Sequence, residues 1–432
     1  MSSKTLEDHV TLQRGKTYKS ARLGEPGPVL LGLASIGRNG GFRDDNLKSY
    51  GGDSPKNLLL FPGDVYVSLK DVTQSGDLLG SVARVPRTVA VGRLTQDTVK
   101  LNFKTSIHRS YIYWLLRTPQ YRTHCRSHAT GTTNLGLARE DFLSFPVPPL
   151  SIDRDRLVTL LDSLDDNIEL NRRMNATLEA MARALFRSWF VDFDPVRAKV
   201  ASKTPAGMDP ATADLFPAAF EVSELGDIPK GWKVEPVGDI VSCLGGGTPS
   251  TSNPEFWDGG THHWTTPKDF SSLASPILID TDRKITDAGA ASISSSILSP
   301  GTVLLSSRAP VGYLAIAAIP VAINQGFIAL IPNDKASSEF LLNWCGSVME
   351  IIKARATGTT FAEISKKSFR PIPIILPSVD VMRAFTNMTR PLYAMITANL
   401  KQSRTLAALR DALLPELLSR NAAPSVIDAG GQ

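Results

Sequence analysis

The chain of 432 residues is poor in the features that mark most functional classes. Its three cysteines, Cys125, Cys243 and Cys345, are odd in number and far apart, which argues against a disulfide framework and for a reducing cytosol. No run of about 18 apolar residues, the length that spans a bilayer, is present. The opening MSSKTLEDHV has no apolar signal region. A cytoplasmic protein without a membrane partner is expected.

Catalytic signatures are equally scarce. Gly32-Leu-Ala-Ser-Ile-Gly37-Arg38-Asn39 has the glycine spacing of a phosphate loop, but Arg-Asn stands where Lys-Ser/Thr would reach phosphate and magnesium, so it reads as a turn. His124, Cys125 and His128 are metal-ligand types, yet no second cluster completes a tetrahedral set. His262-His263 beside Trp264 is as incomplete, and both groups read as surface loops. Asp282-Arg-Lys284 has the acidic-x-Lys end of a nuclease site without an upstream metal-binding carboxylate, and reads as a solvated strand end. There is no Asn/Asp-Pro-Pro-Tyr/Phe tetrapeptide, with which an amino-methyltransferase acting on DNA would hold a flipped base. The chain is expected to have no catalytic residue, metal ligand or cofactor of its own.

What is present is a globular composition, 42% hydrophobic and 21% charged, in a chain too long for one hydrophobic core. At least two domains follow. The net charge of +5 is mild, but unevenly spread. Residues 1–150 hold 20 Lys+Arg against 12 Asp+Glu, a balance of +8, while residues 204–376 hold 12 against 17, a balance of −5. Seven of those 17 acids fall between Asp209 and Asp239, so residues 241–376 balance at 10 against 10. A polyanion partner fits the first half better than the second.

The strongest periodic signal lies in the middle. From Ile152 to Phe190, Leu157, Leu164, Asn171, Leu178 and Leu185 recur every seven residues, and Leu161, Ile168, Asn175, Ala182 and Trp189 form the alternate seam. Adding 228 to the first row gives Phe385, Leu392, Asn399, Leu406 and Leu413, so the polar Asn171 recurs as Asn399. Two helices of one design are expected, with Asn at equivalent positions as a register device. An antiparallel pair is expected in preference to each helix packing only on its own domain. Pro391 should interrupt the second helix.

Other landmarks repeat in the same order. Offsets are 231 for Thr17 and Thr248, 238 for Pro62-Gly63 and Pro300-Gly301, 227 for the pentapeptides Ala129–Thr133 and Ala356–Thr360, and 227 for Pro146 and Pro373. Drift in the β-rich parts with constancy through the helices indicates a tandem duplication with variable loops. Short β-rich runs fill each half, a helix is expected over 109–116 with a break near Pro119, and the Pro- and Ala-rich stretch 194–231 reads as a linker on a surface.

Candidate contacts to DNA follow from residue type. In the first half, Lys16, Tyr18, Lys19, Arg22, Arg38, Asn39, Arg43 and Lys48 crowd into turn-rich sequence, where cationic and amide side chains reach phosphates and base edges. The second half offers Thr248, Ser250, Thr251 and Ser252 in a Gly/Ser/Thr loop, then Lys268, Ser307 and Arg308. Lys70 matches Arg308 at the 238 offset. The loops with Thr132, Thr133 and Asn134, and with Thr359 and Thr360, supply hydroxyls and N–H groups suited to phosphate, and turn formation alone also explains them.

In this order, ARALFRSWFVDFDPVRAK after the first helix, GWKVEPVGDI opening the second half, and LAALRDALLPELLSR near the end make the sequence resemble a specificity subunit of type I DNA restriction-modification enzymes. The resemblance covers nearly the whole chain. It implies an α+β fold with two β-rich target recognition domains in tandem repeat, separated by two long helices forming an antiparallel coiled coil. The divisions would be domain 1 at 1–150, a central spacer helix at 151–193, a linker at 194–231, domain 2 at 232–376, a C-terminal spacer helix at 377–420 and a tail at 421–432. Each domain would read half of a split target in double-stranded DNA, and the helices would set the spacer. Two methyltransferase subunits carrying S-adenosylmethionine would dock on the helices and domain flanks, and restriction subunits using ATP and Mg for translocation would join them. The competing readings are a stand-alone DNA-binding regulator and a self-contained methyltransferase or nuclease, the latter disfavoured by the missing motifs.

Overall fold

The computed structural model describes residues 4–44, 47–73, 76–132, 134–358 and 362–419. Thr133, Thr359 and Thr360, and the segment 421–432, lie outside the described residues. The chain is α+β and divides into two compact units. One contains the described residues up to Asn167 and from Thr405 onward; the other is Ile168–Arg404. Both bounds fall inside the long helices, Ile152–Phe190 and Val379–Leu413, so each helix contributes to both units.

The first unit contains ten short strands: β1 (Val10–Arg14), β2 (Val29–Leu31), β3 (Leu59–Leu60), β4 (Val65–Ser68), β5 (Lys70–Asp71), β6 (Val82–Arg84), β7 (Gly92–Leu94), β8 (Thr98–Phe103), β9 (Ala129–Thr130) and β10 (Leu135–Leu137). They form sheets of order β1-β8-β4-β6, β2-β7-β3 and β5-β10-β9. The period-2 alternation of a strand explains the placing of β4. Val65 and Val67 enter a core with Val82, Val99 and Trp114, while Tyr66 between them enters a second core with Leu31, Leu60 and Leu94. Pro119, expected only as a break, opens a second helix (Pro119–Ser127) at its first position, where a missing N–H costs nothing, with Thr118 as the cap.

The second unit adds β11 (Phe220–Ser223), β12 (Gly226–Pro229), β13 (Lys233–Pro236), β14 (Ser242–Gly245), β15 (His262–Thr265), β16 (Ile277–Leu278), β17 (Arg283–Ile285), β18 (Val303–Ser306), β19 (Leu314–Ala317), β20 (Val321–Ile323), β21 (Phe327–Ile331) and β22 (Pro373–Leu376). Its main sheet runs β14-β21-β18-β19-β16 and a smaller one β17-β15-β20. The first four places of the main sheet repeat β1-β8-β4-β6, and the parallel pair β15/β20 repeats the parallel pair β2/β7. Alternation recurs as well: Val303 and Leu305 face one core, Leu304 the other.

The first three residues of the repeated pentapeptide are placed alike in both units. In the first, Gly136 pairs with both Lys70 and Thr130; in the second, Glu363 pairs with both Arg308 and Thr357. Gly131 at φ 97° and Gly358 at φ 117° sit in left-handed backbone, which is why glycine holds the third position of each copy.

The two long helices run antiparallel within each unit. In the first, Arg154 Nε donates to the Leu417 carbonyl at 2.9 Å and Arg410 Nη1 meets Asp165 at 2.9 Å. In the second, Asn171 faces Gln402, Asn399 faces Asn175, and Phe186 packs on Phe385. Residue numbers rise along one helix as they fall along the other. Every seam residue named from the heptads is buried or half-buried, and none is exposed. The helices thus pair with each other and do not pack only on their own domains.

Two expectations are corrected. The second helix continues through Pro391. Phe385, Tyr393 and Ile396 are buried on either side of the exposed proline, and the Thr386 and Thr389 hydroxyls hold the Met382 and Phe385 carbonyls, so packing outweighs the lost N–H. The stretch 194–231 is not a bare linker. It forms helices Asp194–Val200 and Pro210–Asp214 and the hairpin β11-β12, and buries Val196, Phe216 and Ile228 in the same core as Trp232. Elements this short show no periodicity, which hid them.

Candidate nucleic-acid interface

In the first unit the predicted cations are organised from below by a residue not singled out in the sequence. Arg93, at the centre of β7, is only 3% exposed. Its Nε donates to the Asp53 carbonyl at 3.0 Å, Nη1 to that of Lys16 at 3.4 Å and Nη2 to that of Thr17 at 3.1 Å. Its guanidinium also lies 4.8 Å from the centre of the Tyr50 ring. The Tyr50 hydroxyl accepts the Lys19 N–H at 3.2 Å, and the ring meets Tyr18 edge-on at 6.0 Å. Backbone bonds from Gly24 to Ser49, Gly51 to Arg22 and Leu30 to Lys48 lace the two segments together.

The result is one braced pair of loops that presents Lys16, Tyr18, Lys19, Arg22 and Lys48, all exposed. Arg22 shares its charge with Glu25, Nη1 to Oε2 at 3.1 Å. Arg38 and Asn39 are exposed on a different turn, where Asn39 takes φ 62° and its N–H bonds to Asp77. Arg43 is exposed with its N–H on the Ser35 carbonyl. Lys70 meets Asp97 at 3.2 Å, and Thr132 is exposed just after Gly131.

Behind Lys70, the side chain of Asp71 is fully buried. Burial works to raise its pKa. Bonds from the Thr73 hydroxyl and N–H, each at 2.6 Å, and from the N–H groups of Leu78 and Leu79 outweigh that and hold the carboxyl below its ordinary range.

In the second unit, Thr248, Ser250, Thr251 and Ser252 are exposed on a loop anchored from beneath by two indoles. Trp264 Nε1 donates to the Gly247 carbonyl at 3.1 Å and Trp257 Nε1 to that of Ser250 at 2.9 Å. The Thr248 hydroxyl bonds to Gln325 at 2.5 Å, and Ser250 to Ser252 at 3.0 Å. Lys268 is exposed on the short helix Pro267–Phe270. Arg308 is half-buried, with Nη1 3.5 Å from Glu363 Oε2. Ser307 is 3% exposed, so its hydroxyl does not face a ligand and the residue leaves the contact set.

The histidine groups are corrected from loops to regular elements. His124 and Cys125 lie on the helix Pro119–Ser127 and His128 caps it; His262-His263-Trp264 lie on β15. Burial lowers the pKa of His263, opposed by Asp280 and aided by Lys284 and Arg404. Among the described residues no three His, Cys, Asp or Glu side chains form a group able to hold a metal, and no helix is long and apolar enough to cross a membrane.

Comparison with known proteins places this geometry in context. A family model described as the type I restriction modification DNA specificity domain matches residues 229–383. The chain is similar to the HindI specificity subunit of Haemophilus influenzae, a type I restriction enzyme component, at 28% identity over 318 residues, covering 64% of this chain and 68% of that one. It is similar to the MjaIX specificity subunit of Methanocaldococcus jannaschii at 35% identity over 189 residues, 43% of this chain and 44% of that protein. The second match thus spans under half of the relative's length. The crystal structure of a type I restriction-modification S subunit from M. genitalium shares the fold, with a TM-score of 0.54 over 96% of this chain and 95% of that one at 16% identity.

Proposed function

We propose that the chain is a specificity subunit of a type I restriction-modification system and that it reads a bipartite DNA target, each unit taking one half while the helix pair sets the spacer. The observation that carries this reading is the repetition: the same strand order and the same Gly-centred loop occur once per unit, and the same long helix follows each. Two copies of one scaffold with unlike loops suit two unlike half-sites. A continuous helix of fixed rise suits a ruler.

The centre of the helix pair carries the repeat in its contacts. Asn171 Nδ2 donates to Ser403 at 3.2 Å, and Asn399 Nδ2 to Asn175 at 2.9 Å; these are equivalent contacts under the 228 offset. Outward faces repeat too. Leu160, Met174 and Met181 are exposed at multiples of seven residues, as are Met388, Met395 and Leu409. Exposed apolar stripes mark protein contacts, and these two suit the docking of two methyltransferase subunits. S-adenosylmethionine belongs with those partners, and ATP and Mg with restriction subunits that join them.

The test combines purified chain, labelled duplex and S-adenosylmethionine, with and without the methyltransferase subunit. Transfer only with the partner is expected, and transfer by the chain alone overturns the reading. Deleting one heptad from each helix removes about 10 Å of rise and, at roughly 3.4 Å per base pair, shortens the preferred spacer by about three base pairs. An unchanged spacer in a variant that folds and binds rejects the ruler.

A further inference from the structure

Arg283 opens the edge strand β17 and pairs directly with Trp264 on β15. Residues opposite each other in antiparallel strands share a face of the sheet, so the guanidinium is directed onto the indoles. It lies 3.5 Å from the centre of the Trp257 ring and 5.6 Å from that of Trp264, and the two indoles meet edge-on at 5.1 Å. Beneath them Ile285, Ile293 and Ala322 form a small buried core with Trp264. The platform is therefore fixed. Arg283 itself is exposed, and among the described residues no carboxylate lies within ion-pair distance of it.

The same two indoles hold the loop of hydroxyls. Through Gly247 and Ser250 they set the backbone that carries Thr248, Ser250 and Ser252. One platform thus fixes a flat cation and a hydroxyl-bearing loop. A guanidinium stacked by its face keeps its N–H edge free and points it in a single plane, the arrangement that bidentate recognition of guanine O6 and N7 demands. The other arginine considered for this unit, Arg308, is instead engaged by Glu363 at 3.5 Å.

We propose that Arg283, stacked on Trp257, is a sequence-reading residue of the second unit, directed at a guanine in the DNA major groove, with Trp257 as its positioning residue. This rests on the reading of the chain as a DNA-specificity subunit. Sequence alone hides it, because Arg283 stands between Asp282 and Lys284 and reads as a charged strand end.

The experiment is selection from a randomised duplex library with the full chain and its methyltransferase partner, comparing wild type with Arg283→Ala, Arg283→Lys and Trp257→Phe. The expected result is a bipartite motif for wild type, loss of preference at one G·C pair of one half-site in both Arg283 variants, and affinity for the wild-type motif reduced by about 10- to 100-fold. Lysine keeps the charge but not the fork, so its failure to rescue separates base reading from charge. Trp257→Phe, which retains an aromatic face, keeps the motif with a smaller loss. Thermal melting within a few degrees of wild type establishes that the variants fold.

An unchanged motif in both Arg283 variants overturns the proposal while leaving the specificity reading intact. So does a uniform loss across all sequences rescued by lysine, which identifies a phosphate contact. If wild type selects no motif at all, the specificity reading fails and this proposal fails with it.

Discussion

The two units share a scaffold and arm it differently. In the first, a buried arginine, Arg93, binds backbone carbonyls and braces loops whose exposed cations do the reaching. In the second, the arginine is itself exposed, and two tryptophans beneath it do the bracing. Under the proposed reading, a loop that works through several lysines and arginines carries excess positive charge, whereas one prepositioned guanidinium among hydroxyls needs none. The near-neutral second half is therefore compatible with DNA binding, because preorganisation substitutes for the number of cations.

The comparison breaks most visibly at Arg93. Arg93→Met removes three hydrogen bonds to backbone carbonyls of Asp53, Lys16 and Thr17 together with the stack on Tyr50. Each such bond contributes about 0.5 to 1.5 kcal/mol net, so the loss of three should destabilise the first unit by about 3 kcal/mol. Calorimetry should show the transition of that unit shifted down and the other unchanged. Arg283→Ala, at an exposed site, should leave both transitions nearly in place. Equal effects of the two substitutions on stability would erase the distinction between a bracing and a reading arginine.

A second asymmetry lies in the loops that follow β4 and β18. Ser68 and Ser306, equivalent under the 238 offset and both fully buried, tie these loops with their hydroxyls. The next equivalent pair is Asp71 and Ala309, so only the first unit carries a buried carboxylate there. Its pKa is depressed in the fold, hence its stabilisation is complete above the unfolded value of about 3.9 and is lost as pH falls through the folded value. Acid should loosen the first unit before the second. Asp71→Asn, which forfeits some of the four accepted bonds, should cost about 2 kcal/mol at neutral pH and flatten the acid limb. An acid limb of wild-type steepness in that variant would assign the sensitivity elsewhere.

What could be read from the sequence depended on length and repetition. Thirty-nine residues of heptads fixed the central helix to its end residues, and the 228 offset located its partner. The same rule misjudged Pro391, because local propensity took no account of Phe385 and Tyr393 packing on either side. Phe216 and Ile228 looked like linker residues since elements of four to seven residues carry no period. At the candidate interface the exposed cations were visible by type. Arg93, Tyr50 and Trp257 were not, because their roles come from cross-strand pairing and from carbonyls distant in sequence. Ser307 had the right chemistry, but it is buried just beyond the end of β18.

At the helix pair Asn171 and Asn399 make equivalent contacts, so substitutions should act alike. Asn171→Leu and Asn399→Leu each remove half of a reciprocal polar layer. A polar residue in such a seam fixes register at some expense of stability, so stability should change by about 1 kcal/mol or less. Spacer selectivity should broaden by the same amount in both variants. Broadening in only one of them would deny that the two asparagines are equivalent.

The smallest effect is expected where the copies are most alike. Arg308 and Lys70 occupy equivalent pairings, and each meets a carboxylate, Glu363 at 3.5 Å and Asp97 at 3.2 Å. Partly exposed ion pairs of this kind contribute about 0 to 1 kcal/mol, and a cation already paired has less to offer a phosphate. Arg308→Ala and Lys70→Ala should each weaken DNA binding by about threefold or less at low salt, with the difference from wild type fading near 0.15 M salt, where the Debye length is about 8 Å. Binding across a salt series measures both. Equal small losses make this position a shared scaffold feature; a loss at Arg308 as large as that at Arg283 would return it to the reading surface and leave the second unit with two reading arginines where the geometry supports one.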